Sequence, residues 1–263
     1  APSFTALASG NMGVFSLTCM VLAIMLFGRK QDEAAGLALA FSLFKPDWAY
    51  PLVLFFLIWS VINQRMGLLY WFLGSFILLI GFSMLLIPEW PIQYFKSLLL
   101  FGANNPVLSI PTEDQSLFSE LNTRFVVVKN ILVVVILVIE WFFVRVSSNQ
   151  RFYWLAAITL ALTSWIGVRQ PAEAAILCLP GFLLALSLLQ ARWKNNSLPV
   201  IAMLITSVLL LGWVLSDFFF AAISGEVYQV YSGFIFPLMI VIMLYWSRWW
   251  VVHTAKMTAN SLH

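Results

Sequence analysis

Read for apolar length and polar interruption, the chain alternates long greasy runs with short charged or proline-bearing turns. An α-helix rises about 1.5 Å per residue, so about 20 apolar residues cross a bilayer core. This rule predicts spans at 12–28, 34–45, 49–64, 67–87, 122–146, 152–168, 171–190, 198–220 and 228–248. The expected fold is therefore all-α: one polytopic transmembrane domain over 1–263, with about nine spans. Two places break the pattern. At 34–64 the run "GLALAFSLFKPDWAYPLVLFFLIW" is interrupted by Lys45, Pro46 and Asp47, which predicts a short broken hairpin. At 88–122 a polar, proline-containing stretch predicts an extramembrane loop with an interfacial helix at 91–101, where Trp90, Tyr94 and Phe95 suit the headgroup level and Lys96 can snorkel.

Composition supports the membrane class, since 62% of the residues are hydrophobic and only 10% charged, with mean hydropathy +0.94. The net charge of +3 follows from where basic residues sit relative to the bilayer and carries no nucleic-acid footprint. Arg29, Lys30, Arg65, Arg145, Arg151, Arg192, Lys194, Arg248 and Lys256 all fall at turns after odd-numbered spans, which defines one cytoplasmic face and a cytoplasmic C-terminus. Glu89, Glu113, Asp114, Glu120, Glu173 and Glu226 fall on the opposite, external face. The segment before the first span is then external and begins without Met, so the expectation is that a leader was removed or that Ala1 lies within a longer protein. A competing topology fuses 34–63 into one kinked span, leaving eight. It places Lys45 near the bilayer centre at about 2.5–3.5 kcal/mol and strands Arg29 and Lys30 outside, so nine spans is the preferred reading.

The hairpin is the main candidate for chemistry. An arm of about 12 residues reaches only about 18 Å, so the tip is expected below the outer surface, facing protein or water. Pro46 is expected to end the incoming helix and Pro51 to lie in the first turn of the outgoing one. Lys45 and the positive end of that second helix would converge on one spot suited to an anionic group such as phosphate, with Asp47 in support. The plainer alternative is a tight turn at the headgroups with both charges solvated.

Several stretches carry a family resemblance. Gly10-Asn11 opening a span, the short basic turn that follows, "AAGLALAFSLFKP", the aromatic outer loop "IPEWPIQYFKSLLLF" and the later "VRQPAEAAILCLPGFLLALSLL" together resemble the GT-C glycosyltransferases, specifically the polyprenyl-phosphate-mannose-dependent mannosyltransferase family. The family more often has Gly-Gln where this chain has Gly10-Asn11. The resemblance implies an integral protein of the bacterial plasma membrane that transfers a mannose-type sugar from a polyprenyl-phosphate donor to a lipid or glycan hydroxyl on the external face. It implies no cofactor or metal, and places Lys45, Arg169 and Asn11 near the donor phosphate, with Asp47 and Glu173 supporting. The family's catalytic base is an acid in the first external loop. This sequence offers no counterpart, which fits the expectation that Ala1 is not the natural start; were the chain whole, the resemblance would mark a relic scaffold.

Other residues have simpler readings. Arg169 and Glu173 flank Pro171 at a span mouth, either gripping a lipid phosphate or forming an interfacial ion pair. Glu140 is expected to reach the cytoplasmic surface and pair with Arg145. Gly67, Gly74 and Gly81 recur every seven residues and predict a face packed within the bundle or against a partner subunit. Cys19 and Cys178 are expected to be packing residues, and Asp217 and His253 have no visible partner for metal binding or base catalysis. A non-catalytic subunit of a larger membrane assembly is the alternative function. A transporter would need an inverted repeat, which the span lengths do not display.

Overall fold

The computed structural model describes residues 12–89, 92–93, 96, 117–142, 149–166, 175–192, 237–246 and 248, with side chains from 128, from 151 and over 176–187 in the later helices. Every regular element among them is helical: α1 (Met12–Gly28), α2 (Asp32–Ser42), α3 (Pro46–Ile62), α4 (Met66–Leu86), α5 (Leu117–Phe142), α6 (Asn149–Thr163), a 3₁₀ turn (Ala175–Cys178) running into α7 (Leu179–Arg192), and α8 (Pro237–Trp246). Among the described residues only α4 is both long and apolar enough to cross a membrane by length and composition. The expected count of about nine spans is thus not reproduced. The expected span 198–220 lies outside the described residues, as does most of the 91–101 helix, of which residues 92, 93 and 96 are helical.

Boundaries shift for local reasons. Pro46 does not end the incoming helix; it opens α3 at its first position, where its missing N–H is harmless. Pro51 then falls inside α3 rather than in its first turn, so the Asp47 carbonyl loses the amide that would normally bond it. α6 stops at Thr163, earlier than expected. Near this end Thr159, Thr163 and Ser164 turn their hydroxyls back onto the carbonyls of Leu155, Thr159 and Ala161, competing with the helical ladder.

α1 and α3 end in the same way. In each, the amide three residues past the helix reaches back five residues, Gln31 to Leu26 and Arg65 to Ser60, while the preceding amide reaches back three, Lys30 to Phe27 and Gln64 to Val61. This is a Schellman closure, and it forces Lys30 and Gln64 to φ 63° and 55°. The second closure delivers Arg65 to the first. Its guanidinium pairs with Asp32 at the start of α2, donates to the Phe27 carbonyl at 3.0 Å, and lies 3.7 Å from the Phe27 ring. The turns that the charge pattern assigns to one face are therefore held together at one end of the bundle.

From this base α2 rises between α1 and α4. Gly36 is the point of closest approach: a Cβ there would lie 2.7 Å from the Leu68 carbonyl oxygen and 2.8 Å from the Phe72 amide nitrogen, both backbone of α4. Gly67, Gly74 and Gly81 behave otherwise. All three are exposed, and among the described residues a Cβ at Gly74 or Gly81 would meet nothing within 4 Å, so this face is not packed against the described helices. The glycine that admits a neighbouring helix is on α2.

The core centres on an aromatic cluster at the same end, where Phe152 of α6 meets Phe27, Phe55, Phe56 and Trp59 at centroid distances of 4.9–5.7 Å. Phe55 also meets Trp141 near the end of α5 at 6.0 Å. Glu140 finds its partners at the end of α8 and just beyond it: Tyr245 donates to one carboxylate oxygen at 2.9 Å and Arg248 to the other at 3.0 Å. The expected partner Arg145 lies outside the described residues. Cys19 and Cys178 are buried and unbridged, as packing residues should be.

Two stability outcomes follow. Gly36→Ala is expected to lower stability by about 1–3 kcal/mol, because backbone rather than a mobile side chain must yield, whereas Gly74→Ala and Gly81→Ala should stay within about 0.5 kcal/mol of wild type. Melting in detergent followed by circular dichroism checks the contrast. Gln64→Gly is expected to raise stability by about 0.5–1 kcal/mol, since glycine adopts the left-handed closure without a Cβ clash. An unchanged or lower melting temperature would show that the Gln64 side chain contributes more than its backbone strain removes.

Candidate functional site

The interrupted hairpin forms a tight tip in which Leu43, Phe44 and Lys45 join α2 to α3. α2 has 11 residues and α4 has 21. Both start near one level, since Asp32 faces Gly67. At about 1.5 Å per residue α2 rises about 16 Å and α4 about 31 Å, so the tip stands roughly halfway up α4. The upper half of α4 is accordingly uncovered, with Ile77, Leu78, Phe82 and Leu85 each 65–82% exposed.

α1 fixes the tip from the side. The Ser16 hydroxyl donates to the Ser42 carbonyl, one of the acceptors left over at the end of α2, and the Ser42 hydroxyl donates to Leu39. Both serines are fully buried, so these bonds prevent unmet polar groups in an apolar layer. Phe15 packs edge-on against Phe44 at 5.6 Å.

Lys45 sits at the N-cap of α3 and is half-buried, with Nζ 3.9 Å from the centroid of the Trp48 ring. A cation over an indole gains about 0.5–2 kcal/mol, more as water is excluded. Trp48 itself is 2% exposed, and its Nε1 is buried without a hydrogen-bond acceptor. Such an unmet donor costs about 1–3 kcal/mol, and an oxygen acceptor arriving beside it would recover that loss. The tip thus combines an ammonium, an unmet N–H and the positive end of α3. Two features temper its pull on an anion. The Trp48 and Ala49 amides already donate to the Lys45 carbonyl, and Asp47 places a carboxylate in the same first turn. Asp47 is exposed, and its charge complements the helix dipole.

Of the other expected site residues, Asn11, Arg169 and Glu173 lie outside the described residues. The first turns of α1, which follow Asn11 in the chain, do reach the tip through Phe15 and Ser16. Two residues escape a reading by apolar length. Trp48 reads as one more aromatic among many, and Lys129 sits inside an expected span, where a single lysine does not interrupt the hydropathy. Helical phase would have found Lys129: it lies four residues before Val133, eight before Leu137 and twelve before Trp141, the buried stripe of α5. Among the described residues no group of three or more His, Cys, Asp or Glu is placed to hold a metal ion.

No curated protein and no solved structure matches the chain with significance. A family model does: residues 1–168, which include the hairpin and α1 to α6, match Glycosyltransferase family 87. The match covers well over half of the 263 residues, and the chain belongs to glycosyltransferase family 87, a membrane-associated family of the GT-C type.

Proposed function

We propose that the chain forms the later membrane portion of a glycosyltransferase that takes a mannose-type sugar from a polyprenyl-phosphate donor and passes it to a lipid or glycan hydroxyl on the external face. Family membership supports glycosyl transfer from a lipid-linked donor, and the hairpin tip supports the place of donor binding. The observation that carries the site is Lys45 set over the buried Trp48, whose Nε1 lacks an acceptor. On this reading Lys45 neutralises the donor phosphate, and Trp48 Nε1 donates to one of its oxygens. Arg169 and Asn11 complete the phosphate contacts, while Asp47 and Glu173 orient the cations. About nine spans hold this arrangement in the bacterial plasma membrane, with the C-terminus cytoplasmic.

Transfer breaks the bond between the sugar's anomeric carbon and the phosphate oxygen, leaving the electron pair on that oxygen. Negative charge grows on the polyprenyl phosphate as it departs, and a fixed ammonium in a poorly screened layer stabilises that charge more than it stabilises the bound donor. The proton of the acceptor hydroxyl must pass to a base, a task for a carboxylate outside the residues named here.

A non-catalytic role within a larger membrane assembly is the second reading, favoured by the exposed glycine-lined face of α4. The two readings separate in an assay of the complete protein with a labelled polyprenyl-phosphate sugar. Lys45→Ala is expected to weaken donor binding or raise the donor KM by about 10- to 100-fold, in line with about 1.5–3 kcal/mol for a charged hydrogen bond, with Lys45→Arg retaining most of it. Unchanged binding and transfer in Lys45→Ala would remove the phosphate site. Absence of transfer, with co-purifying membrane subunits, would favour the second reading.

A further inference from the structure

We infer that Lys129 on α5 is a second cationic contact for the phosphate of the lipid-linked donor, on the buried stripe of α5 at about the level of the hairpin tip; the inference rests on the donor-site reading above.

The direction of Lys129 follows from the burial of its neighbours. On α5, Val133, Leu137 and Trp141 are buried, at 0%, 2% and 9% exposure, while Val128, Ile131, Leu132, Val135 and Val138 are each about half exposed or more. Lys129 extends the buried stripe by one helical turn, and Asn130 lies on its edge. Both are half-buried. Neither is satisfied there: no hydrogen bond or ion pair joins Lys129 to another described residue, and the Asn130 Oδ1 is buried without a partner.

Its height follows from a shared contact. Phe55 of α3 meets Trp141 of α5, and the aromatic cluster and the short α5–α6 connection put the later part of α3 and the end of α5 at one end of the bundle. Moving away from that contact, Lys45 lies ten residues before Phe55 and Lys129 twelve before Trp141. At about 1.5 Å per residue these are rises of about 15 and 18 Å, so the backbones of the two lysines stand at nearly one level.

An inward-facing lysine within an apolar span is costly to keep unless something anionic meets it. Trp48 Nε1, unmet at the tip, and Asn130 Oδ1, unmet beside Lys129, together mark this level as one where polar groups await partners that the described chain does not supply. A phosphodiester bound between two lysines, with one unmet donor and one unmet acceptor for a sugar hydroxyl, fits that set. Lys129 would then stabilise the charge that develops on the leaving phosphate, as Lys45 does.

The test uses the complete protein in phosphatidylcholine nanodiscs, titrated with a polyprenyl monophosphate, with the uncharged polyprenol of equal length, and with phosphatidylglycerol, reading tryptophan fluorescence. Lys129→Met is expected to weaken binding of the monophosphate tenfold or more, to leave polyprenol binding unchanged, and to leave the ligand-free melting temperature equal or higher. Lys129→Arg is expected to keep most of the affinity. Wild-type monophosphate binding in Lys129→Met, with loss in Lys45→Ala, overturns the role of Lys129 while the donor site stands. Binding unmoved by either substitution removes the donor site itself. A lowered melting temperature with equal loss of polyprenol binding makes Lys129 structural, and equal Lys129-dependent binding of phosphatidylglycerol makes the site a general anionic-headgroup contact; either overturns the inference.

Discussion

The guanidinium of Arg65 ties together three separate pieces of chain: its own turn, the carbonyl end of α1 through Phe27, and the first residue of α2 through Asp32. A half-buried bidentate pair of this kind is directional, because the planar fork must meet both carboxylate oxygens at once. With the base of the hairpin fixed, the height of its tip is no longer free. It is set by the number of residues in α2, and Gly36 ensures that these residues rise in close contact with α4 rather than leaning away. The position of Lys45 is therefore a matter of chain length measured from an electrostatic anchor.

Much of this was legible in the sequence, and the failures are instructive. The break at Lys45, Pro46 and Asp47 announced a hairpin because two charges flanking a proline are a poor continuation of an apolar helix. The boundaries were misplaced by two or three residues because proline is ambiguous: it closes one helix and opens the next equally well, and only the backbone decides. Gly67, Gly74 and Gly81 suggested a contact face by their spacing, yet the close approach is made by Gly36, which has no repeat to announce it. Small size permits contact but does not locate it. Asp32, an ordinary acid in a short turn, became important only through Arg65, thirty-three residues away.

The candidate site was half visible. Lys45 was conspicuous, whereas the meaning of Trp48 depends on its burial, which hydropathy cannot report in a chain rich in tryptophan. Membrane interiors make such residues informative once a structure is available: where water cannot supply missing hydrogen bonds, each unmet donor or acceptor marks either instability or a partner. By contrast, Ser16, Ser42, Thr159 and Glu140, also polar, are all satisfied by the chain itself and belong to its architecture.

Asp47 has a consequence for turnover. On the proposed reading the donor is a phosphodiester with a single negative charge, whereas the spent carrier is a monoester with a charge of about −1.5 to −2 near neutral pH. A tip built only of cations would hold the spent carrier more tightly than the fresh donor and would stall after each cycle. A carboxylate two residues from Lys45, in the first turn of α3, penalises the more highly charged species more strongly. The acid that looks like a flaw in an anion site thereby favours its emptying.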